Sequence, residues 1–175
     1  MKRFFLFALV ATMFAACVTD NPFEEENNNG ANPGQGVLAG TVPNNEIWYT
    51  STDGNIVTPN KSFKNQFGGV ALESNTYEDG KGVMTFNGEI TTIGGSAFSG
   101  ISTLANITLP NSVASIEDGA FADCTSLISA TIPDGIAEIG SRTFKGCKSL
   151  EEINLPENVK CDKKAFKDCT KLTIG

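Results

Sequence analysis

Three cysteines, Cys124, Cys147 and Cys169, recur at intervals of 23 and 22 residues in a chain that contains no histidine. Thiols at such even spacing invite three kinds of chemistry: a disulfide, a metal site or a nucleophile. The nucleophile would need an imidazole base for a cysteine–histidine or serine–histidine pair, and the sequence offers none. Zinc would need four ligands at the corners of a tetrahedron, a shape that residues repeating along one line do not supply. Side chains at one position of a stacked repeat lie about 4.8 Å apart, within the reach of a disulfide, but they point the same way and are odd in number. The three thiols are therefore expected to be buried and structural, behaving as small hydrophobes.

The acidic residues give no better catalytic constellation. Glu117-Asp118 and Glu151-Glu152 are adjacent pairs on exposed turns and strand faces, whereas a glycosidase needs two acids facing each other across a cleft. Gly68-Gly69, Gly94-Gly95 and Asp134-Gly135 read as turn glycines, with no phosphate-binding or dinucleotide pattern around them. The chain is predicted to be no enzyme and to use no metal or cofactor.

What positions the cysteines is a repeat. Phe98, Phe121, Phe144 and Phe166 keep the same intervals, as do Leu104, Leu127, Leu150 and Leu172, and Ile93, Ile116, Ile139 and Cys161. Pro110, Pro133 and Pro156 stand 23 apart. A fixed period of 22–23 residues built on leucine, isoleucine and phenylalanine predicts a leucine-rich solenoid, because one such unit cannot bury its apolar face alone and neighbours must stack. Four units follow: residues 84–105, which diverge most, then 107–129, 130–152 and 153–172. In each, Leu-x-x-Ile-x-Leu turns three side chains of a short strand inward, as at Leu104, Ile107 and Leu109. Proline then ends the ladder for want of an amide hydrogen. Val113 and Ile116 mark a second short extended piece on the opposite wall, and Ala-Phe one tight turn beneath it.

The recurring Leu-x-x-Ile-x-x-Pro, Val-x-x-Ile and Ala-Phe-x-x-Cys-x-x-Leu resembles the BspA-like leucine-rich repeats of bacterial surface proteins, over residues 83–175. The segment Glu46-Ile47-Trp48-Tyr49-Thr50-Ser51-Thr52-Asp53-Gly54 resembles the one that precedes such repeats in lipoproteins of that family. The resemblance implies a right-handed α/β leucine-rich-repeat solenoid, mostly β with short helical turns, displayed at the cell surface, with adhesion to host proteins as a reported role. Departures are Ile101 for the cysteine and Asn87 for the proline of the first repeat, and Cys161 for an isoleucine of the fourth.

Ahead of the repeats, residues 46–82 read as β-hairpins that cover the first coil. Ile47-Trp48-Tyr49-Thr50 and Ile56-Val57-Thr58 flank Asp53-Gly54-Asn55, and Asp79-Gly80-Lys81-Gly82 forms a second turn. Of Trp48 and Tyr49, one is expected on the first coil and the other in solvent, since neighbouring strand residues face opposite ways. Residues 18–45, rich in asparagine, glycine, proline and glutamate, lack the apolar content to offset ordering entropy and are expected to be a flexible tether.

The start of the chain has a different purpose. Lys2 and Arg3 precede an apolar run at residues 4–16, a signal peptide by charge and length and too short to span a bilayer. Phe14-Ala15-Ala16-Cys17 resembles a bacterial lipobox, with phenylalanine where leucine is usual, so residues 1–17 form a lipoprotein signal and Cys17 is the lipidation site. Asp20, Glu24, Glu25 and Glu26 read either as a solvated linker or as an acidic signal resembling that of surface-exposed lipoproteins of some anaerobic Gram-negative bacteria. Removing residues 1–17 leaves 11 basic against 20 acidic groups, a net charge of −9. That balance excludes nucleic acid as a partner and leaves the lipid anchor as the only link to the membrane.

The outward side chains of the strand ladder are the natural place for a ligand: Thr85, Asn106, Thr108, Ser129, Thr131, Glu152 and Asn154. The predicted function is a non-catalytic, adhesin-like module, lipid-anchored to the outer membrane and surface-exposed, that binds a host extracellular or neighbouring-cell protein. The alternative is an envelope component whose partner is another bacterial surface protein or itself. Lys160, Lys163, Lys164, Lys167 and Lys171 crowd the last repeat, and like charge at an exposed edge predicts a monomer or weak self-association.

Overall fold

The structure, a computed structural model, describes residues 40–60 and 65–173. The signal segment, Cys17 and the tether up to residue 39 lie outside the described residues. Ten strands are present and, among the described residues, no helix. They are β1 (Glu46–Ser51), β2 (Leu72–Glu78), β3 (Lys81–Phe86), β4 (Thr92–Ile93), β5 (Leu104–Thr108), β6 (Ser115–Ile116), β7 (Ser129–Thr131), β8 (Glu138–Ile139), β9 (Glu152–Asn154) and β10 (Lys160–Cys161). Six form one sheet in the order β2-β3-β1-β5-β7-β9, and four form a second in the order β10-β8-β6-β4.

The repeat interval becomes strand register. Ile93, Ile116, Ile139 and Cys161 are direct partners down the parallel four-stranded sheet. Ile107, Ala130 and Ile153 are direct partners in the parallel part of the larger one. Their side chains meet in a single core, with Leu104, Leu127 and Leu150 wholly buried. Phe98, Phe121 and Phe144 are also wholly buried and form a continuous stack, with ring centroids 5.3 and 5.2 Å apart and planes within 6° of parallel. Phe166 extends the stack at 5.5 Å but is only partly buried, because no further coil lies on it among the described residues. At the opposite end Phe67 closes the column, edge-on to Phe98 at 6.1 Å and 4.6 Å from Phe86.

The turns follow the same logic. Pro110, Pro133 and Pro156 each end a strand, and their carbonyls accept the amides of Val113, Ile136 and Val159 at 3.1, 3.2 and 3.3 Å. Under the Ala-Phe segment, successive turns close by bonds three residues apart, as from Ala120 to Glu117 and from Ala122 to Gly119. They do not propagate into a helix. Each coil places a left-handed residue just beyond its phenylalanine, at Gly100, Asp123, Gly146 and Asp168.

The N-terminal segment departs from expectation in two ways. Residues 56–58 form no strand and no hairpin with β1. Both edges of β1 are already occupied, by β3 on one side and β5 on the other, each antiparallel. Val57 instead caps a polar cluster: its amide donates to the Tyr49 hydroxyl at 3.2 Å, and its carbonyl accepts Asn75 Nδ2 at 2.8 Å. Second, the strand of the first repeat is not the parallel neighbour of β5. β3 folds back on β2 through Asp79-Gly80, both at positive φ as a two-residue hairpin requires, and β1 is inserted between β3 and β5. The first repeat joins the next coil through the parallel pairing of β4 and through its turn, where the Phe98 and Gly100 amides donate to the carbonyls of Ala120 and Ala122.

Candidate functional site

The cysteine ladder is the most regular polar feature of the interior. Cys124 Sγ donates to the carbonyl of Phe98 at 3.0 Å, Cys147 to that of Phe121 at 3.1 Å and Cys169 to that of Phe144 at 3.0 Å, each reaching back one coil. The amides of Ile101, Cys124 and Cys147 use the same three carbonyls as acceptors from within their own coils. Ile101 holds this position in the first coil, where Phe67, and not a further coil of the repeat, lies against Phe98. All three thiols are free. Burial pushes Cys124 up to about 12 and Cys169 up to about 11, and raises Cys147 further with help from the thiols on either side. Protonated donors bound to carbonyls are neither nucleophiles nor metal ligands. Among the described residues no group of three histidine, cysteine or acidic side chains is placed to hold a metal ion.

The polar surface that remains is the outer face of the six-stranded sheet. Strand alternation sends Ile47 and Tyr49 into the core and turns Glu46, Trp48 and Thr50 outward. Trp48 is only partly buried, and its partners across the ladders are Val83 on β3 and Thr108 on β5. Through Thr108 the same row continues to Thr131 and Asn154. Two charged neighbours fix the indole. Its Nε1 donates to Glu46 Oε2 at 2.7 Å, and Lys81 Nζ sits 3.0 Å from the ring centroid, a cation–π contact.

The second row is built differently. Asn106 donates from Nδ2 to Thr50 Oγ1 and accepts at Oδ1 from Ser129 Oγ, both at 2.7 Å. Its side chain is consequently spent within the sheet, and the residue is buried. Glu152 continues that row in register with Ser129 and is exposed. Thr85, expected beside these residues, is instead paired with Glu46 on the far side of β1. The structure thus groups Thr108, Thr131 and Asn154, binds Asn106 to Ser129, and separates Thr85. The residue that strand-ladder reasoning left out is Trp48, which joins the row because β1 is a sheet strand. Its signal was present in the alternation Ile47, Tyr49 against Glu46, Trp48, Thr50.

No helix among the described residues is long and apolar enough to cross a membrane. No curated protein matches the chain. Among solved structures, a leucine-rich repeat protein of T. pallidum is 39% identical over 48% of this chain and 40% of its own, with a TM-score of 0.47. One from Bacteroides ovatus ATCC 8483 is 35% identical over 57% of this chain and 24% of its own, with a TM-score of 0.45. A leucine rich cell surface protein of Faecalibacterium prausnitzii A2-165 is 33% identical over 49% and 29%, with a TM-score of 0.39. The chain spans less than half the length of each. The BspA type leucine rich repeat region matches residues 80–174, in six copies. With more than half its length so matched and its phenylalanines, leucines and cysteines stacked in register, this chain belongs to the BspA-type leucine-rich repeat family.

Proposed function

We propose that this chain is a non-catalytic module that holds a host-matrix or neighbouring-cell protein against the outer face of its six-stranded sheet, at the bacterial surface. Leucine-rich repeat proteins generally mediate protein–protein interaction, and their repeats are typically binding surfaces without enzymatic activity. The observation that carries the reading is Trp48, held on that face by Glu46 and Lys81 in line with Thr108, Thr131 and Asn154. Tryptophan is the residue type that most often anchors a protein interface, and the small side chains beside it let a partner approach closely. Thr85, Asn106, Ser129 and Glu152 frame this centre.

Display at the surface rests on the sequence: residues 1–17 as a lipoprotein signal, Cys17 as the acylated residue, and residues 18–45 as the tether. Residues 46–82 then act as the N-terminal cap and residues 83–175 as the repeat domain. The lysines of the fourth coil, Lys160 on β10 among them, keep copies monomeric or weakly associated by repulsion at the exposed edges.

The test is capture by immobilised full-length mature protein, comparing purified host extracellular matrix with the bacterium's own envelope extract. A matrix protein retained by the wild type and weakened about tenfold or more by Trp48→Ala is the expected result. Capture confined to envelope proteins would favour an assembly role instead. Capture indifferent to Trp48 would remove the sheet face as the site.

A further inference from the structure

Charge is distributed unevenly along the solenoid. Residues 83–141 contain no lysine or arginine and six carboxylates, whereas residues 142–173 contain eight basic residues and five acidic ones. Six of the eight lie on one wall, in the turns that follow the second sheet: Arg142, Lys145 and Lys148 on the third coil, Lys163, Lys164 and Lys167 on the fourth. These two turns are laid directly on each other. Phe144 N donates to Ala165 O at 2.9 Å, and Gly146 N donates to Lys167 O at 2.8 Å, so Arg142 stands against Lys164 and Lys145 against Lys167 at about the strand spacing. The matching positions of the earlier coils carry no basic residue: they are serine, glycine, alanine, threonine and, in line with Lys163, Asp118.

The six are exposed or partly exposed, and none forms an ion pair. The one ion pair among the described residues joins Lys171 to Glu151, outside this set. Asp162 and Asp168 interleave with them, and Asp118 and Asp123 lie against the third-coil turn, where Asp118 Oδ1 accepts the Ser141 amide and the Asp123 amide donates to Lys145 O. Of these acids, Asp162 uses Oδ1 to accept the Lys164 amide at 2.8 Å, which shapes the turn. A fold of net negative charge has thus gathered unpaired cations on one strip.

We infer that this turn wall binds an acidic polysaccharide, a linear polymer bearing sulfate, phosphate or uronate groups at regular intervals. The wall offers charge in a repeating row and little else. The exposed large hydrophobic side chains, Ile56 and Leu72, both belong to the N-terminal segment, so the wall has no apolar anchor for a protein interface. Its aromatic rings, Phe144 and Phe166, are stacked in the phenylalanine column instead of standing beside the basic side chains as a platform for a nucleobase. A polymer whose anions recur along its length matches a row of cations that recurs along the solenoid. This surface is distinct from the sheet face around Trp48, and the two readings stand or fall separately.

The probe is heparin, a sulfated polysaccharide, titrated calorimetrically into the full-length mature protein across a salt series. The triple variants K163Q/K164Q/K167Q and R142Q/K145Q/K148Q should each weaken binding by about tenfold or more and flatten its salt dependence, as loss of polyelectrolyte contacts does. K160Q, which removes a lysine from β10, and Trp48→Ala should leave binding within about twofold of wild type, with folding checked by circular dichroism. Unchanged heparin affinity in both triple variants would overturn the proposal. So would a loss in K160Q as large as in a triple variant, which would reduce the effect to net charge. Polyglutamate or single-stranded DNA binding as tightly as heparin would overturn the assignment to polysaccharide.

Discussion

The thiol of Cys147 donates to the carbonyl of Phe121, 3.1 Å away and one coil earlier, and Cys124 and Cys169 repeat the bond to Phe98 and Phe144. The cysteine is therefore a stitch between coils, placed where the ring of one coil and the backbone of the previous one converge. It joins two links that the repeat alone leaves separate: strand register on one wall and aromatic stacking beneath it.

Cys147→Ala removes that donor and leaves a small void, so it should destabilise the protein by about 1–2 kcal/mol in urea. Cys169→Ala, at a partly buried site, should cost less. Equal and negligible effects at both positions would mean that the thiols merely fill space.

The same burial fixes a pH dependence. Cys124 and Cys169 are raised to about 12 and about 11, and Cys147 is raised as well, whereas an unfolded thiol ionises near 9. Above that value the unfolded chain loses protons that the folded chain retains. The stability these thiols contribute is thus complete below about pH 8.5 and declines as pH rises through the 9–12 range. Urea unfolding at pH 7, 9 and 10 should show the decline, and it should be smaller in Cys124→Ala. At pH 8 the three thiols should resist alkylation in the folded protein and react after denaturation.

Phe144 is sandwiched between Phe121 at 5.2 Å and Phe166 at 5.5 Å and has no exposed surface. Phe144→Ala should cost about 3–5 kcal/mol. Phe166→Ala should cost clearly less, since that ring is covered on one side only. A reversal of this order in chemical denaturation would contradict the stacked column.

How much of this was legible follows from what a period encodes. Register along the repeats was readable because Ile93, Ile116, Ile139 and Cys161 must share one depth in the core, and an interval in sequence becomes a position in the stack. Burial of the phenylalanines was readable for the same reason. The insertion of β1 between β3 and β5 was not, since antiparallel pairing across some 35 to 60 residues leaves no periodic trace. Counting back 23 residues from Ile107 gives Met84, which is apolar and inward as expected but sits on β3, a strand that runs antiparallel to β1. Trp48 was lost from the ladder row with that misplacement, and Thr85, which is the partner of outward Glu46, stands on the outer face beyond β1 instead of next to Asn106 and Thr108.

Gly82 shows how the inserted strand is held. Gly82 and Tyr49 are cross-strand partners, and a Cβ on Gly82 would collide with the Tyr49 ring. Glycine is needed there for space. Tyr49 lies over it, and its hydroxyl donates to Asn75 Oδ1 at 2.7 Å. Gly82→Ala should displace the ring, break that cluster and destabilise the protein by about 1–3 kcal/mol. Trp48 is the sole tryptophan and the residue just before Tyr49 in β1, so its emission should shift in the same variant. A variant with unaltered stability and emission would show that Tyr49 does not lock β1.

Anchoring by Cys17 makes the remaining prediction, and it concerns residues outside those the structure describes. Lys2 and Arg3, the apolar residues 4–16 and the Ala15-Ala16-Cys17 junction would together form the proposed signal, and the thiol of Cys17 would carry the diacylglyceryl group through a thioether. Serine offers no thiol for that bond. Cys17→Ser should abolish labelling by radioactive palmitate and move the protein from the membrane fraction to the soluble one, while leaving its thermal unfolding unchanged. Labelling that persists in this variant would place the lipid on another residue. Absence of labelling in the wild type would make residues 1–16 an ordinary secretory signal. Protease shaving of intact cells separates display from simple attachment: a surface-exposed protein is cut in whole cells, whereas one facing the periplasm is cut only after lysis.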